Sequence, residues 1–423
     1  MNKKKNKPAL SGVERLIPEL RFPEFEKEEE WEVTFVSNVC DVYRGSTFSK
    51  ADMDENGSEP CIHYGELFTK YNEVISTIYS KTNKSDSFRS KIGDILMPSS
   101  DVTPDGLAKA SAIMLDNVVL GGDMNILRPK KGFNSIFLSY LLNHSKREII
   151  KLVSGTTVKH IYPSQIITSQ LPIVNNKLEQ QKIASCLSSL DEVITAHSQK
   201  LELLKDHKKG LMQNLFPQEG EKVPKYRFPE FEKDGEWVEK KLEKIAEVNP
   251  TSSQLPNEFV YIDLESVEKG TLLKRTIIEK EGAPSRAQRL LKNKDVIFQM
   301  VRPYQKNNYF FRKSNDFEYV ASTGYAQLRA FESSMFLYQI LHTDNFVSKV
   351  LEKCTGSNYP AINSSDLSKI SVQIPKPTEQ QKIASCLSSL DDLITAQTEK
   401  IVQLKEHKKG LMQVLFPKMI EHI

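Results

Sequence analysis

Four short, turn-rich stretches of the chain combine cations, aromatic rings, hydroxyls and amides. Such side chains contact nucleic acids, because Arg can grip O6 and N7 of guanine and Asn or Gln can grip N6 and N7 of adenine. Taken singly, each stretch could equally be a solvated turn, but the stretches recur at equivalent places in both halves of the chain. The candidate DNA-binding residues are Tyr43, Arg44, Ser46, Thr47, Thr156, Thr157, Lys159, His160, Tyr162, Arg302, Tyr304, Lys306, Asn307, Ser357, Asn358, Tyr359 and Asn363.

Motifs of covalent chemistry are lacking in the sequence. It contains no GxxxxGK(S/T) phosphate loop, no GxGxxG, no GxSxG elbow and no HExxH. The segment Asn249-Pro250-Thr251 matches only the first half of the Asn-Pro-Pro-aromatic sequence that amino-methyltransferases use around a flipped base, so we interpret it as a turn. The eight histidines do not cluster along the sequence. The sequence therefore predicts no catalytic residues and no metal site.

The composition allows two folded domains with connectors, because 423 residues exceed one ordinary core and 39% of them are hydrophobic. The net charge of +3 neither proves nor forbids nucleic-acid binding, since a near-neutral total can hide a basic face. The five cysteines are widely spaced without a metal-ligand pattern, which favours reduced thiols and a cytoplasmic location. No apolar run approaches the ~20 residues that cross a bilayer, so we expect no membrane contact and no signal peptide.

A duplication indicates the elements that position the candidate stretches. Residues 179–191 and 379–391 carry the same thirteen letters, EQQKIASCLSSLD, at an offset of 200 residues. Apolar residues follow alternating steps of four and three through both copies, and this period over about five heptads predicts the seam of a coiled coil. We expect the two helices to stop at Pro217 and Pro417, because proline cannot donate the next ladder hydrogen bond.

Capping sequences predict where both helices begin. Asn176 with Glu179, and Thr378 with Gln381, are spaced for reciprocal N-caps, in which each side chain bonds the backbone NH of the other residue. Polar residues interrupt the apolar seam, as at Lys208, and these residues would set the register of the two helices at some cost in stability.

The globular parts of the two halves share a plan but little sequence. Each opens with Arg-Phe-Pro-Glu-Phe-Glu-Lys and a tryptophan, whose aromatic rings we expect to pack on the domain that follows. In the first half we expect strands at Glu32–Asp41, Val74–Tyr79, Asp94–Met97, Ala112–Met114, Val118–Leu120 and Gln170–Val174, and one helix at about Ile136–Val153. Asp94-Ile95-Leu96 matches Asp295-Val296-Ile297 in the second half, and the loop at Gly155 matches that at Gly356. Unlike domains on near-identical helices indicate two different targets and one feature common to both helices.

The predicted domain boundaries follow from these repeats. The chain would comprise a basic N-terminal arm (1–17), a first globular domain (18–174), a first long helix (175–217), a second globular domain (218–375), and a second long helix with a C-terminal tail (376–423).

The order of these pieces resembles the specificity subunit of type I restriction–modification systems over nearly the whole chain. The residues that carry the resemblance are Gly93–Leu96, Val301–Tyr304, Val320–Tyr325, Gly356–Asn363 and the Glu-Gln-Gln-Lys-Ile-Ala starts of both helices. The first half departs more from the pattern, because residues 155–160 form a looser version of the second loop motif.

The resemblance implies an α+β protein with two similar mixed α/β target-recognition domains, separated by two long helices packed as an antiparallel coiled coil with a pseudo-twofold axis. Each domain would read one half of a split site in double-stranded DNA. The helices would act as a spacer and bind two methyltransferase subunits, and restriction/translocase subunits would join that core. Adenine methylation and cleavage, with S-adenosylmethionine, ATP and Mg, would then belong to the partners, and this chain would hold no cofactor of its own.

Two other classes of protein remain open at this point. A coiled-coil scaffold with two protein-binding heads would show no salt-sensitive affinity for DNA, whereas phosphate contacts require a steep salt dependence. A self-contained DNA methyltransferase would need a cofactor site and the complete Asn-Pro-Pro-aromatic motif, and the sequence contains neither.

Overall fold

The fold consists of two compact units, seen in a computed structural model that describes residues 16–84, 88–251, 254–356 and 358–419. Unit 1 comprises the described residues up to Ser198 together with those from Lys400 onward, and unit 2 comprises Gln199–Glu399. The predicted basic arm therefore lies outside the described residues except for its last two positions. The boundaries predicted from the sequence remain a prediction, because each compact unit also includes half of each long helix.

Two helices of 39 residues each, Lys177–Leu215 and Pro377–Leu415, begin in one unit and end in the other. Asn176 caps the first helix as expected, since its Oδ1 accepts hydrogen bonds from the backbone NH groups of Leu178 and Glu179. The reciprocal half of this cap was predicted wrongly, because the Glu179 carboxylate binds elsewhere. The cap predicted at Thr378 is also wrong, since Pro377, with its fixed φ, already starts the second helix.

Unit 1 is built on a five-stranded and a three-stranded sheet. The larger sheet has the strand order Cys40–Arg44, Met124–Pro129, Ile95–Pro98, Ser111–Ile113, Val74–Ile75, and the smaller has Ser80–Thr82, Glu59–Ile62, Val119–Leu120. Two further pairs join Glu32–Phe35 to Gln170–Ile173 and Ser100–Asp101 to Lys159–His160. The helices of the unit are Val36–Val39, Glu66–Thr69, Pro104–Leu107, Ser135–His144, Lys146–Ile150 and Pro163–Ile166, with 3-10 turns at Pro23–Phe25 and Lys50–Asp52.

The structure corrects three elements predicted for unit 1. The strand expected at Val74–Tyr79 is limited to Val74–Ile75, and the next strand begins at Ser80. The strand expected at Glu32–Asp41 is interrupted by the helical turn Val36–Val39, which buries both of its valines. The helix expected at Ile136–Val153 is two helices, because the backbone leaves helical geometry at Ser145, with ψ 25°. The strand expected at Asp94–Met97 is observed one residue later, at Ile95–Pro98, where it is fully buried.

Unit 2 repeats this plan with two four-stranded sheets. The strand orders are Ala246–Val248, Tyr325–Ala330, Val296–Gln299, Tyr309–Phe310 and Thr276–Glu279, Glu258–Ile262, Tyr319–Ser322, Ala287–Leu290. Two further pairs join Val238–Lys241 to Ser371–Ile374 and Val267–Glu268 to Thr271–Leu272. The helices are Ser334–Ile340, Asp344–Glu352 and Ser364–Ser368, with 3-10 turns at Pro229–Phe231, Leu242–Lys244, Lys280–Gly282 and Pro303–Gln305.

Within unit 1, the start of the first long helix and the end of the second run antiparallel. Leu187 of the first helix lies in one buried core with Leu415, the last residue of the second helix, and with Phe416, which follows that helix. One turn further along the first helix, the Asp191 carboxylate lies 2.7 Å from Nζ of Lys408, so residue numbers rise on one helix as they fall on the other. Burying each such Leu or Phe contributes about 1.5–3 kcal/mol.

Unit 2 contains the same arrangement with the roles of the helices exchanged. Leu387 of the second helix lies in one core with Leu215, the last residue of the first helix, and with Phe216, which follows that helix. Nζ of Lys208 donates to Oδ1 of Asp391 at 2.6 Å. The lysine predicted to interrupt the seam is therefore an ion-pair partner inside the unit.

The repeated Arg-Phe-Pro-Glu-Phe segment is tied to the start of a long helix in both units. Arg21 donates from Nε and Nη2 to the two carboxylate oxygens of Glu179, at 2.8 and 2.7 Å. Arg227 makes the same two bonds to Glu379, also at 2.8 and 2.7 Å. Both glutamates are buried. Internal packing therefore explains part of the identity between the helices, which the sequence suggested was due to a common external feature.

The fold class is confirmed as α+β, with two similar mixed domains and two long helices that pack antiparallel within each unit. The pseudo-twofold axis stays a prediction.

A half-buried histidine gives unit 2 a predicted acid sensitivity. His342 lies near Lys208, Lys306 and Asp391, and burial lowers its pKa from 6.5 to about 4. The unfolded chain therefore binds this proton more readily than the folded chain, so stability is complete above pH 6.5 and falls as the pH drops towards 4. The loss is at most about 3 kcal/mol, because each unit of difference in pKa between the folded and unfolded states corresponds to about 1.4 kcal/mol.

The measurement is urea unfolding followed by Trp237 fluorescence in a Trp31→Phe background, at pH 7 and pH 4.5. His342→Gln, which lacks the titrating ring, is expected to show a smaller drop in the free energy of unfolding. Equal drops in the two proteins would contradict the assignment to His342.

Candidate nucleic-acid interface

In unit 1, two strand ends lie side by side at one edge of the five-stranded sheet. Strands Cys40–Arg44 and Ile95–Pro98 both pair antiparallel with Met124–Pro129, so both leave the sheet in the same direction. Arg44 pairs with Asn125 and Pro98 with Met124, which places the two carboxyl ends on either side of the start of Met124–Pro129. Polar side chains that follow either strand are thereby brought to a common edge.

A closed loop is attached to this edge. The backbone groups of Ser154 and His160 exchange two hydrogen bonds, of 3.0 and 2.8 Å, and close the loop between them. Gly155 has φ +103°, and a Cβ there would lie 2.2 Å from the carbonyl oxygen of Val158, so the turn requires glycine. The NH of Ile161 donates to the carbonyl oxygen of Ser99 at 3.1 Å, which fixes the loop beside the segment that follows the central strand.

Three candidate side chains meet where this loop reaches the strand end. The guanidinium of Arg44 lies 5.9 Å from the centre of the Tyr162 ring, and the rings of His160 and Tyr162 stack at 6.1 Å with an interplanar angle of 16°. Arg44 also lies 3.5 Å from Asp123, and both side chains are about half exposed. We call Arg44, His160 and Tyr162 the Arg44 cluster. It offers a cation and stacked rings to solvent, as a nucleic-acid contact requires.

Unit 2 has the same closed loop at the same edge. Thr355 and Ala361 exchange two backbone hydrogen bonds, of 2.9 and 3.0 Å, and Gly356 follows the first of them with φ +89°. The NH of Ile362 donates to the carbonyl oxygen of Met300 at 3.0 Å, as that of Ile161 does to Ser99 in unit 1. The loops therefore share their backbone hydrogen bonds while their side chains differ.

An arginine and a tyrosine form the centre of the edge in unit 2. The guanidinium of Arg302 lies 4.2 Å from the centre of the Tyr359 ring, and its backbone NH donates to the carbonyl oxygen of Pro360 at 2.8 Å. Arg302 and Lys306 both have left-handed backbones, with φ +54° and +55°, on either side of the turn Pro303–Gln305. Such strain in non-glycine residues is concentrated at functional sites.

Several other candidate residues have internal partners. Oγ of Ser46 donates to the Leu120 carbonyl, and Nζ of Lys159 donates to the Gly155 carbonyl. Nζ of Lys306 donates to the carboxylate of Asp344, and Oδ1 of Asn307 accepts from the NH of Lys269. Oδ1 of Asn363 caps the helix Ser364–Ser368. Thr47, Thr156, Thr157, Tyr304 and Asn358 are exposed, and Ser357 lies outside the described residues. These positions stay predictions. Among the described candidate residues, the structure brings Arg44, His160 and Tyr162 into ring contact with one another, and Arg302 with Tyr359.

In unit 1, an ion pair with a fully buried carboxylate joins the strands Ile95–Pro98 and Met124–Pro129. Nε and Nη2 of Arg128 donate to Asp94 at 2.7 and 2.8 Å, and the hydrogen bond to this carboxylate raises the pKa of Arg128. The same guanidinium lies 5.0 Å from the centre of the Tyr43 ring, which also packs on Phe88 at 5.7 Å. Tyr43, a candidate contact, is therefore held from below and only its outer side is open.

Two residues at the edges were missed by the sequence interpretation. Asp101 lies seven residues after Asp94, as Arg302 does after Asp295, and extending that match without gaps would have aligned them. The stretches at Tyr43 and Arg302 therefore do not occupy equivalent places, and the recurrence expected for these two stretches is wrong. Asn249, interpreted as a turn residue, follows the strand equivalent to Cys40–Arg44. Its Oδ1 accepts from the NH of Gln327 at 2.9 Å.

Among the described residues, no group of His, Cys, Asp and Glu side chains is arranged to hold a metal ion. The same part of the chain has no helix long and apolar enough to cross a bilayer.

Two domains of one plan, each with a closed loop on a sheet edge and with different side chains there, define a tandem recognition protein. A family model described as the type I restriction modification DNA specificity domain matches residues 28–206 and again 234–406. The chain belongs to this family.

Relatives with that description match over most of the chain. A putative type I restriction enzyme MjaX specificity subunit of Methanocaldococcus jannaschii is 24% identical over 406 residues, covering 92% of this chain and 93% of the relative. The MjaVIII specificity subunit of the same organism is 22% identical over 421 residues, covering 92% of each chain. The crystal structure of an S subunit from M. genitalium shares the fold, with a TM-score of 0.62 at 16% identity, over 95% of this chain and 100% of that one.

Proposed function

We propose that this chain is the DNA-specificity subunit of a type I restriction–modification complex, and that each unit reads one half of a split target in double-stranded DNA. The observation that carries the proposal is the pair of closed loops. Their backbone hydrogen bonds agree within about 0.2 Å, yet the Arg44 cluster stands at one edge and Arg302 with Tyr359 at the other. One scaffold with two sets of exposed side chains is what two unlike half-sites require.

The long helices set the spacing of the half-sites and bind two methyltransferase subunits in this proposal. Support comes from residues that are identical in both helices and exposed in both. Glu179 and Gln180 are buried and bonded inside their unit, as are Glu379 and Gln380, so their identity has an internal cause. Identical pairs that are exposed in both helices include Gln181 with Gln381, Ser185 with Ser385 and Ser189 with Ser389. A partner common to both helices accounts for these exposed identities.

The chain itself is non-catalytic in this proposal and works in the cytoplasm. Methyl transfer with S-adenosylmethionine, and ATP- and Mg-dependent translocation and cleavage, belong to methyltransferase and restriction subunits. The absence of sequence motifs for these reactions supports the division of labour.

The test is methylation mapping of host DNA with and without the gene for this chain, combined with DNA binding by the assembled complex over a salt series. We expect a split, adenine-methylated motif that disappears with the chain, and an affinity that falls steeply as salt rises. An unchanged methylation map, or an affinity for the mapped DNA that does not respond to salt, would favour the scaffold with two protein-binding heads and end the proposal.

A further inference from the structure

The hydrogen-bond register assigns equivalent positions to the two edges. Ile161 bonds to Ser99 as Ile362 bonds to Met300, so the residues two positions later, Asp101 and Arg302, stand at the same place in their units. The partner strands agree, because Asp101 pairs with Lys159 and the NH of Arg302 donates to Pro360, the residue before Ala361. An acid in unit 1 thus replaces an arginine in unit 2.

Arg302 is held rigidly while its donors stay free. Its backbone is left-handed, with φ +54°, a conformation unfavourable for an L-residue that persists only where neighbours impose it. The centre of the Tyr359 ring, which is 63% exposed, lies 4.2 Å from the guanidinium carbon, a distance at which the planar guanidinium can stack on the ring. Within the described part of the chain, the Arg302 side chain has no carboxylate partner and no side-chain hydrogen bond. Five N–H donors in a fixed plane are therefore available to a ligand.

The equivalent residue in unit 1 indicates whether this place faces phosphates or bases. Oδ1 of Asp101 accepts from the NH of Val102 and Oδ2 accepts from Oγ1 of Thr103, both at 2.7 Å, so the carboxylate is fixed in place. A fixed carboxylate directed at the DNA backbone would be repelled by phosphates. At a base edge, however, a carboxylate accepts from N4 of cytosine, and an arginine donates to O6 and N7 of guanine.

Resting on the function proposed above, we infer that Arg302 reads a guanine in the half-site of unit 2, and that Asp101 occupies the same specificity-determining position in unit 1. Tyr359 is a positioning residue, since it orients the guanidinium without needing to contact a base. The two units differ in the bases they accept partly because one position carries donors in one unit and acceptors in the other.

The test uses the full chain assembled with its partner subunits, and reads out both the methylated motif and DNA binding over a salt series. We expect Arg302→Ala to relax one guanine position in one half-site and to lower affinity for the mapped target by about 5- to 150-fold. The slope of log affinity against log salt should stay as in the wild type. Asp101→Asn should relax one position in the other half-site only.

Arg312→Ala is the matched control, because Arg312 is exposed and lies 5.3 Å from the centre of the Phe310 ring, so this variant also removes a charge and a cation–π pair from unit 2. It should leave the motif unchanged. Thermal unfolding of each variant establishes that the motif changes without loss of the fold.

A uniform loss of affinity by Arg302→Ala at every sequence, with the salt slope reduced by about 1, identifies a phosphate contact and overturns the inference. An unchanged motif and affinity overturn it as well. In both cases the proposed function survives if the wild-type complex reads a split motif. A wild-type complex without sequence-dependent DNA binding removes the function and the inference together.

Discussion

Arg227→Ala is expected to lower the free energy of unfolding of unit 2 by about 3–5 kcal/mol, because it leaves a buried carboxylate without its cation. The Glu379 side chain is only 1% exposed, and Arg227 supplies both of its charge-assisted hydrogen bonds, at 2.8 and 2.7 Å. The segment that carries Arg227 also covers the start of the second long helix, so the packing there should loosen too. Hydrogen exchange by mass spectrometry measures the effect, since it resolves each unit separately.

The chain supplies two comparisons for this variant. Arg21→Ala at the matching place in unit 1 should cost less, because Nε1 of Trp31 also donates to Glu179, at 3.4 Å, whereas Nε1 of Trp237 has no partner among the described residues. Lys382→Ala breaks an ion pair with Glu230 in which both side chains are about half exposed, and should cost no more than about 1 kcal/mol. Equal losses in the free energy of unfolding for Arg227→Ala and Lys382→Ala would show that the buried ion pair stabilises unit 2 no more than the exposed one does.

Asp295→Ala should be the other severe substitution, with a loss of about 3–5 kcal/mol in unit 2. The Asp295 carboxylate accepts from the NH of Lys292, Nε2 of Gln327 and two nitrogens of Arg329, at 2.7–2.9 Å, and its side chain is 1% exposed. Removing the carboxylate leaves one guanidinium and two other hydrogen-bond donors without their acceptor next to the central strand. Urea unfolding of unit 2 measures the loss, and DNA binding should fall with it because the strand leads directly to Arg302.

Matched substitutions sharpen this result. Asp94 accepts three hydrogen bonds in unit 1, one fewer than Asp295, so Asp94→Ala should cost somewhat less. Glu247→Ala removes a more distant and half-exposed carboxylate, 3.9 Å from Nη1 of Arg329, and should change the stability by less than about 1 kcal/mol. A loss below about 1 kcal/mol for Asp295→Ala would refute the role given to this ion pair.

Local sequence patterns were sufficient for the elements that bury one continuous apolar face. The strand at Ile95–Pro98 and the two long helices were predicted because period and proline positions are local signals. The turn at Val36–Val39 was missed, because its valines favour a strand by propensity and the helical turn is imposed by packing. The cap at Thr378 failed for a local reason, since Pro377 starts a helix one residue earlier.

The candidate site was predictable only in part. The positions of both loops were predicted from their glycines, but the residues that contact the loops come from distant parts of the sequence. Arg44 and Tyr162 meet only after the strand Met124–Pro129 has aligned the sheet edge. The partner of Glu179 lies 158 residues away, so no local pattern relates it to Arg21. Asp101 could have been found by extending one motif match, and Ser357 lies outside the described residues.

The placement of Leu415 and Phe416 in the core of unit 1 has a consequence for biosynthesis. The ribosome makes the amino-terminal unit first, yet that unit receives the last of its core residues roughly 200 residues later. At ordinary translation speeds the delay is on the order of 10–40 s, during which the nascent domain exposes the apolar patch that Phe416 will cover. A premature stop shortly after Glu399 should therefore damage the domain translated first and spare the one translated second.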